Sequence, residues 1–283
     1  MNNPSLNPLF PSSLAAMRTR TAVVEELRRL LPGRTDRRSI LPFGLAALDS
    51  YLPEGGLAGG ALHEIVPAPH SMSSAFGFIS AILARLFSPS PSESPRRPSR
   101  TPKGGRIFLV LPTYGFRQYG RPHGHGLKAL GLDPARVIVV ETAHRRDTLW
   151  AIEEALRSGA PKAVMGLIDT LDLKSSQRLH FAAAESGLPL FLLRPAASSV
   201  CKDASAASTR WRVGTAEAAR DRFGLVTRPR WRLTLERARN GRPGEWVVEY
   251  DHVAHRFSLA AALADPARAR GPSEETSRQT HCA

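Results

Sequence analysis

The chain has 283 residues, 42% of them hydrophobic, and carries 39 Lys and Arg against 25 Asp and Glu. That length can bury one large core or two small ones, and the composition is too apolar for a wholly disordered chain. No apolar run reaches the roughly 20 residues of a membrane span. No basic start followed by an apolar stretch marks a secretory signal, so a cytoplasmic, nucleoid-associated protein is expected.

Cys201 and Cys282 stand far apart with no CxxC. Neither a structural zinc site nor a disulfide framework is expected. The net charge is +14, and Arg outnumbers Lys 34 to 5. So large a cationic surplus favours nucleic acid or acidic partners.

Residues 1–40 read as an N-terminal helix and linker. A helix over about 14–31, capped by Ser12 or Ser13, precedes a Pro-Gly stop and a basic stretch from Arg34 to Arg38. Leu27 and Leu30 on its apolar face are candidates for partner binding. A core spans 41–255. It opens with a short helix or turn at 44–52, a strand at 61–66 and an apolar helix at 73–87. Residues 88–105 are rich in Pro, Ser and Arg and form an inserted loop that cannot build a core. Strands follow at 107–111, 137–140, 163–168 and 188–193, with helices at 147–158 and 174–186. Alternation of this kind gives βαβ units and a mostly parallel sheet flanked by helices. Beyond Pro195 the pattern changes to antiparallel strands at 209–215, 228–238 and 245–253, with a turn at 240–244. Residues 256–283 are expected to be a mobile tail.

Two stretches combine cations with aromatic rings. The first is TRWRV (209–213) with RPRWRLTLER (228–237). Arg210, Arg212, Arg228, Arg230 and Arg232 are candidate nucleic-acid contacts, because guanidinium groups hold phosphates and indoles stack on bases. Strand geometry puts the Arg and Trp side chains on opposite faces. Trp211, Trp231 and Trp246 packed inside, with the arginines in water, is therefore an equally physical reading. The second stretch is the Gly-rich loop 113–126, which adds Arg117 and Arg121. His123 and His125 there lack an obvious third ligand for a metal.

Residues 41–66, LPFGLAALDSYLPEGGLAGGALHEIV, carry the most specific signal. Gly44, Leu48, Asp49, Leu52, Gly55, Gly56, Leu57, Gly60 and Glu64 stand in the order that leads into the core of RecA-type recombinases. The resemblance implies a RecA-like α/β core closed by antiparallel hairpin strands, with a phosphate loop after the first core strand. That loop needs G-x-x-x-x-G-K-[ST], whose amides cradle phosphates and whose Lys neutralises them. Here Pro67 and Met72 replace the two glycines and Ser73 the Lys; only Ser74 keeps the hydroxyl. Pro112-Thr113 stands where the recombinases place a catalytic Glu, and Gly166-Leu167 where they place a metal-orienting Asp. Asp169 and Asp172 lie just beyond, where they suit a helix cap. No cofactor, metal or catalysis is expected.

With this non-standard loop and the Arg/Trp-rich hairpin, the chain is similar over about 10–255 to the ImuA family of the SOS mutagenesis cassette. The resemblance implies a non-catalytic accessory role in error-prone translesion DNA synthesis. The partners it implies are an ImuB-like homologue of Y-family polymerases, RecA and an error-prone replicative-type polymerase, with single-stranded DNA as a further contact. The rival expectations are an active RecA-like ATPase, an SOS inhibitor of cell division and a plain DNA-binding protein.

Overall fold

The computed structural model describes residues 39–87, 105–113, 119–195 and 204–260. The expected helix at 14–31, with Leu27 and Leu30, and most of the 88–105 insert lie outside these residues, as does the segment from 261 onward.

In chain order the elements are β1 (Ile40–Leu41), α1 (Ala46–Asp49), β2 (Leu57–Ala58), β3 (Leu62–Pro67), α2 (Met72–Arg85), β4 (Ile107–Pro112) and α3 (Gly124–Ala129). Then come β5 (Val137–Thr142), α4 (Arg145–Arg157), β6 (Ala163–Leu167), α5 (Leu173–Ser186), β7 (Leu190–Leu193) and β8 (Thr209–Thr215). A short ribbon, β9 (Ala219–Arg220) and β10 (Val226–Arg228), precedes β11 (Arg230–Ala238), β12 (Gly244–Asp251) and β13 (Arg256–Leu259).

Nine strands form one sheet in the order β13-β12-β11-β8-β3-β7-β6-β4-β5. The six from β8 to β5 are mutually parallel; β8, β11, β12 and β13 pair antiparallel in succession. This is the expected α/β architecture, with one refinement. The strand at 209–215, read as part of the antiparallel set, is also parallel to β3 and so joins the two halves.

Both faces of the parallel half are covered, so its strands read as nearly continuous apolar runs. In β6, Ala163, Met165 and Leu167 point to one core and Val164 to the other. The larger core packs Phe78, Ile79, Ile82 and Leu83 of α2 with Leu48 and Leu127; the smaller packs Ile152 and Leu156 of α4 with Leu179 and Ala183 of α5. The alternation in β8 and β11 sends Trp211, Val213, Trp231, Leu233 and Leu235 into the larger core. There an aromatic cluster ties the antiparallel extension to α2: Phe78 lies 5.8 Å from Trp231, Phe43 5.5 Å from Trp211 and Tyr250 4.9 Å from Phe257, centroid to centroid. Phe257 belongs to β13, a strand that the expected boundary at 255 leaves out. Its strand is four residues long, Arg-Phe-Ser-Leu, too short for a period to stand out.

The lead-in is a folded turn, for a local reason. The Asp49 carboxylate accepts hydrogen bonds from the amides of Phe43 (2.8 Å) and Leu45 (2.9 Å), and Gly44 between them sits at φ 73°. That conformation suits a residue without Cβ.

His63 of β3 is fully buried. Its Nε2 contacts the Ala58 carbonyl (2.9 Å), which can only accept, so Nε2 carries the proton. Nδ1 then accepts from the Thr209 hydroxyl (2.8 Å), whose oxygen accepts from the Trp211 indole N–H (3.0 Å). Burial is the main cause that lowers the His63 pKa, to about 4. Between that value and the ordinary 6.5, the unfolded chain binds a proton that the folded chain refuses, so stability falls as pH falls. Unfolding free energy from urea titrations should drop by about 3 kcal/mol on this account from pH 7 to pH 4. The His63→Gln variant should lose that share of the slope; an unchanged slope would remove His63 as its source.

Candidate functional site

Open α/β sheets bind ligands outside the carboxyl ends of their strands. Here that edge is formed by the ends of β3, β4, β6, β7 and β8.

After β3 the chain makes a tight turn, not an open cradle. Pro67 and Pro69 bring no N–H. The Ala68 amide donates to the Val213 carbonyl (2.8 Å) and the Ser71 amide to the Ala68 carbonyl (3.0 Å). His70 adopts φ 59° to close the turn. The Ser71 hydroxyl donates to the Pro69 carbonyl (3.1 Å) and its oxygen accepts from the Thr215 amide (3.3 Å), which fastens the turn to the end of β8. Phosphate cradles work by converging amides that have no other partner; here those of Ala68 and Ser71 are spent inside the protein. Met72 turns into the core, Ser73 is exposed and Ser74 half-buried.

Among the described residues, the carboxylates near the neighbouring strand ends have partners of their own. After β4, the Thr113 amide and hydroxyl both donate to the Thr142 carbonyl. Glu141 of β5 is held by two nitrogens of Arg121, each at 2.7 Å, beside a cavity of about 220 Å³ lined by Leu111, Pro112, Thr113 and Pro122. In β6, a Cβ on Gly166 would run into the Ile152 side chain of α4. Packing against α4 therefore favours a residue without Cβ where an Asp would stand. Asp172 caps α5 by accepting from the Ser175 amide (2.6 Å) and hydroxyl (3.0 Å), and these bonds hold its carboxyl below the usual range. Asp169 accepts from the Thr170 amide (2.7 Å).

The candidate arginines divide by depth. Arg210 is buried and is therefore withdrawn as a nucleic-acid contact. Its Nε donates to Glu64 Oε2 (2.7 Å), while Arg194 (3.1 Å) and the Ser205 hydroxyl (2.7 Å) donate to Oε1. The Arg230 side chain is buried nearly as deeply, with its Nε 2.8 Å from Glu249 Oε2, and is withdrawn on the same ground. Arg228 reaches Glu249 (3.0 Å) and Asp251 (3.2 Å), and Arg212 reaches Glu236 (2.5 Å). Burial would raise the Glu249 carboxyl, but hydrogen bonds from Arg228 and Arg230 hold it below its usual range. Arg232 is exposed and enters no ion pair among the described residues. Arg117 lies outside them. The His123 and His125 rings stack at 5.0 Å, and no group of three metal-ligating side chains exists among the described residues.

Two features escaped the sequence reading. One is the buried ion cluster around Glu64, whose only signal is an acidic residue inside the apolar run ALHEIV. The other is the β9–β10 ribbon. It exposes Phe223, Leu225 and Val226, and its signal is the Asp-Arg-Phe-Gly turn between two arginines.

Removing the Glu64 charge leaves two buried guanidinium groups without their carboxylate, at a cost of about 3–5 kcal/mol. Glu64→Gln should lower the urea midpoint accordingly. The triple variant Glu64→Leu, Arg194→Met, Arg210→Met should lose much less. Equal losses would refute the ionic account.

No protein-family model matches the chain. It is homologous to Protein ImuA of Caulobacter vibrioides strain NA1000 / CB15N, 29% identical over 241 residues that cover 80% of this chain and 91% of the relative. Protein ImuA of strain ATCC 19089 / CIP 103742 / CB 15 matches to the same extent. Among the described residues, no helix is long and apolar enough to cross a membrane.

Proposed function

We propose that this ImuA homologue is a non-catalytic accessory protein of SOS-induced, error-prone translesion DNA synthesis. The observation that carries the reading is the likeness to Protein ImuA over 241 residues. The closed turn at 67–71 supports its non-catalytic part. Two prolines, two committed amides and a Ser in place of the Lys are ill suited to hold a triphosphate.

In this role the protein binds other proteins and assembles them at a lesion. An ImuB-like homologue of Y-family polymerases, RecA and an error-prone replicative-type polymerase are its proposed partners, with single-stranded DNA as a further contact. Its place of work is the cytoplasm, at the nucleoid.

A strain lacking the chain should lose damage-induced mutagenesis while homologous recombination stays intact. Lost recombination would instead indicate a working recombinase and overturn the proposal. The non-catalytic part has its own check with purified protein: no ATP turnover above background, with or without single-stranded DNA. Turnover that disappears in Ser74→Ala would contradict it.

A further inference from the structure

Phe223, Leu225 and Val226 are 72%, 65% and 57% exposed, three large apolar side chains within four residues. They sit at the tip of the β9–β10 ribbon, whose turn is well fixed. The Asp221 carboxylate accepts from the amides of Phe223 (2.8 Å) and Leu225 (2.9 Å), the Asp221 amide donates to the Leu225 carbonyl (2.9 Å), and Gly224 turns at φ 78°. One guanidinium N–H of Arg220 donates to the Gly224 carbonyl (2.8 Å). The tip therefore needs little ordering to bind, which removes a common cost of association.

The tip also has a charge pattern. Arg222 stacks over the Phe223 ring at 4.7 Å, leaving the opposite ring face for another flat group. The neighbouring carboxylate, Asp221, points to turn amides and forms no ion pair with Arg220 or Arg222 among the described residues. Arg232, on the strand that leaves the ribbon, is also exposed without an ion pair among the described residues. An aromatic face beside guanidinium groups that form no ion pair among the described residues suits a polyanion that carries flat apolar rings. The net charge of +14 attracts such a ligand from a distance.

We propose that the β9–β10 ribbon is a single-stranded DNA contact, with a base stacked on Phe223 and backbone phosphates held by Arg220 and Arg222. This deepens the accessory reading by giving its DNA contact residues outside the degenerate phosphate loop. It also replaces the buried Arg210 and Arg230 as contacts. The proposal rests on that reading for its biological setting alone.

The test is fluorescence anisotropy of the full chain with a labelled oligo-dT of roughly 20 nucleotides, at about 50 and about 200 mM salt. The chain should bind, and Phe223→Ala should weaken binding about tenfold with the salt dependence unchanged. Arg220→Ala with Arg222→Ala should reduce the slope of log affinity against log salt by about 1.4. Phe223 is at the surface, so its truncation leaves the core intact. Absence of oligonucleotide binding, which a tip built for a protein pocket would give, overturns the proposal. So does unchanged affinity of Phe223→Ala, and so does tighter binding of a duplex of the same length. Each outcome is read on purified protein, so it stands apart from the mutagenesis result.

Discussion

Glu64 is a buried carboxylate on which three strands at the centre of the sheet converge. Its β3 lies between β7 and β8; Arg194 follows the first and Arg210 belongs to the second. A buried carboxylate in an apolar strand is costly unless charges and hydrogen bonds surround it, and here two guanidinium groups and a hydroxyl do so. The cluster sits at the junction where the parallel half of the sheet meets the antiparallel extension. It also organises the return of the chain: Arg237 of β11 donates to the carbonyls of Ser205 (2.6 Å) and Ala207 (2.7 Å), the segment that covers Glu64. Wide separation in sequence and closeness in space make it a specific tie rather than a local one.

On the opposite side of the sheet, the same junction is held without charge. His63, Thr209 and Trp211 form a neutral hydrogen-bonded chain with one allowed arrangement of protons. The aromatic cluster then continues from Trp211 to Phe257. Adjacent residues of β3 thus serve two solutions of the same problem, an ionic one on one face and a neutral one on the other. The turn at Ser71 belongs to this scheme too. Its bonds to β8 place it among the interactions that hold the junction, which leaves little of it for a ligand.

Much of this was legible in the sequence. The parallel half announces itself through apolar runs spaced by amphipathic helices, and observed boundaries fall within about two residues of the expected ones at β6, α5 and β8. What stayed hidden is either short or set by distant packing. The α3 helix, the β9–β10 ribbon and β13 are too brief for a period to emerge. Arg210 is the instructive case. Alternation in β8 correctly opposes it to Trp211, but solvent on the far face does not follow, because residues 204–207 cover that face next to β3. One strand farther out the cover ends, and Arg232, of the same chemical type, is exposed. At the candidate site, the missing glycines and Lys were readable; that the amides of Ala68 and Ser71 bond to Val213 and Ala68 was not.

The Glu64 cluster also bears on how the chain emerges from the ribosome. The residues it joins lie 130 and 146 positions apart, so β3 leaves the exit tunnel long before either arginine exists. At about 5–20 residues per second the carboxylate waits roughly 7–30 s for its counter-charges. During that interval the central strand of the sheet has neither neighbour, since β7 and β8 both come later. The nascent chain therefore holds an ALHEIV segment with an ionised group in its middle, a gatekeeper against pairing with other nascent chains until the proper strands arrive.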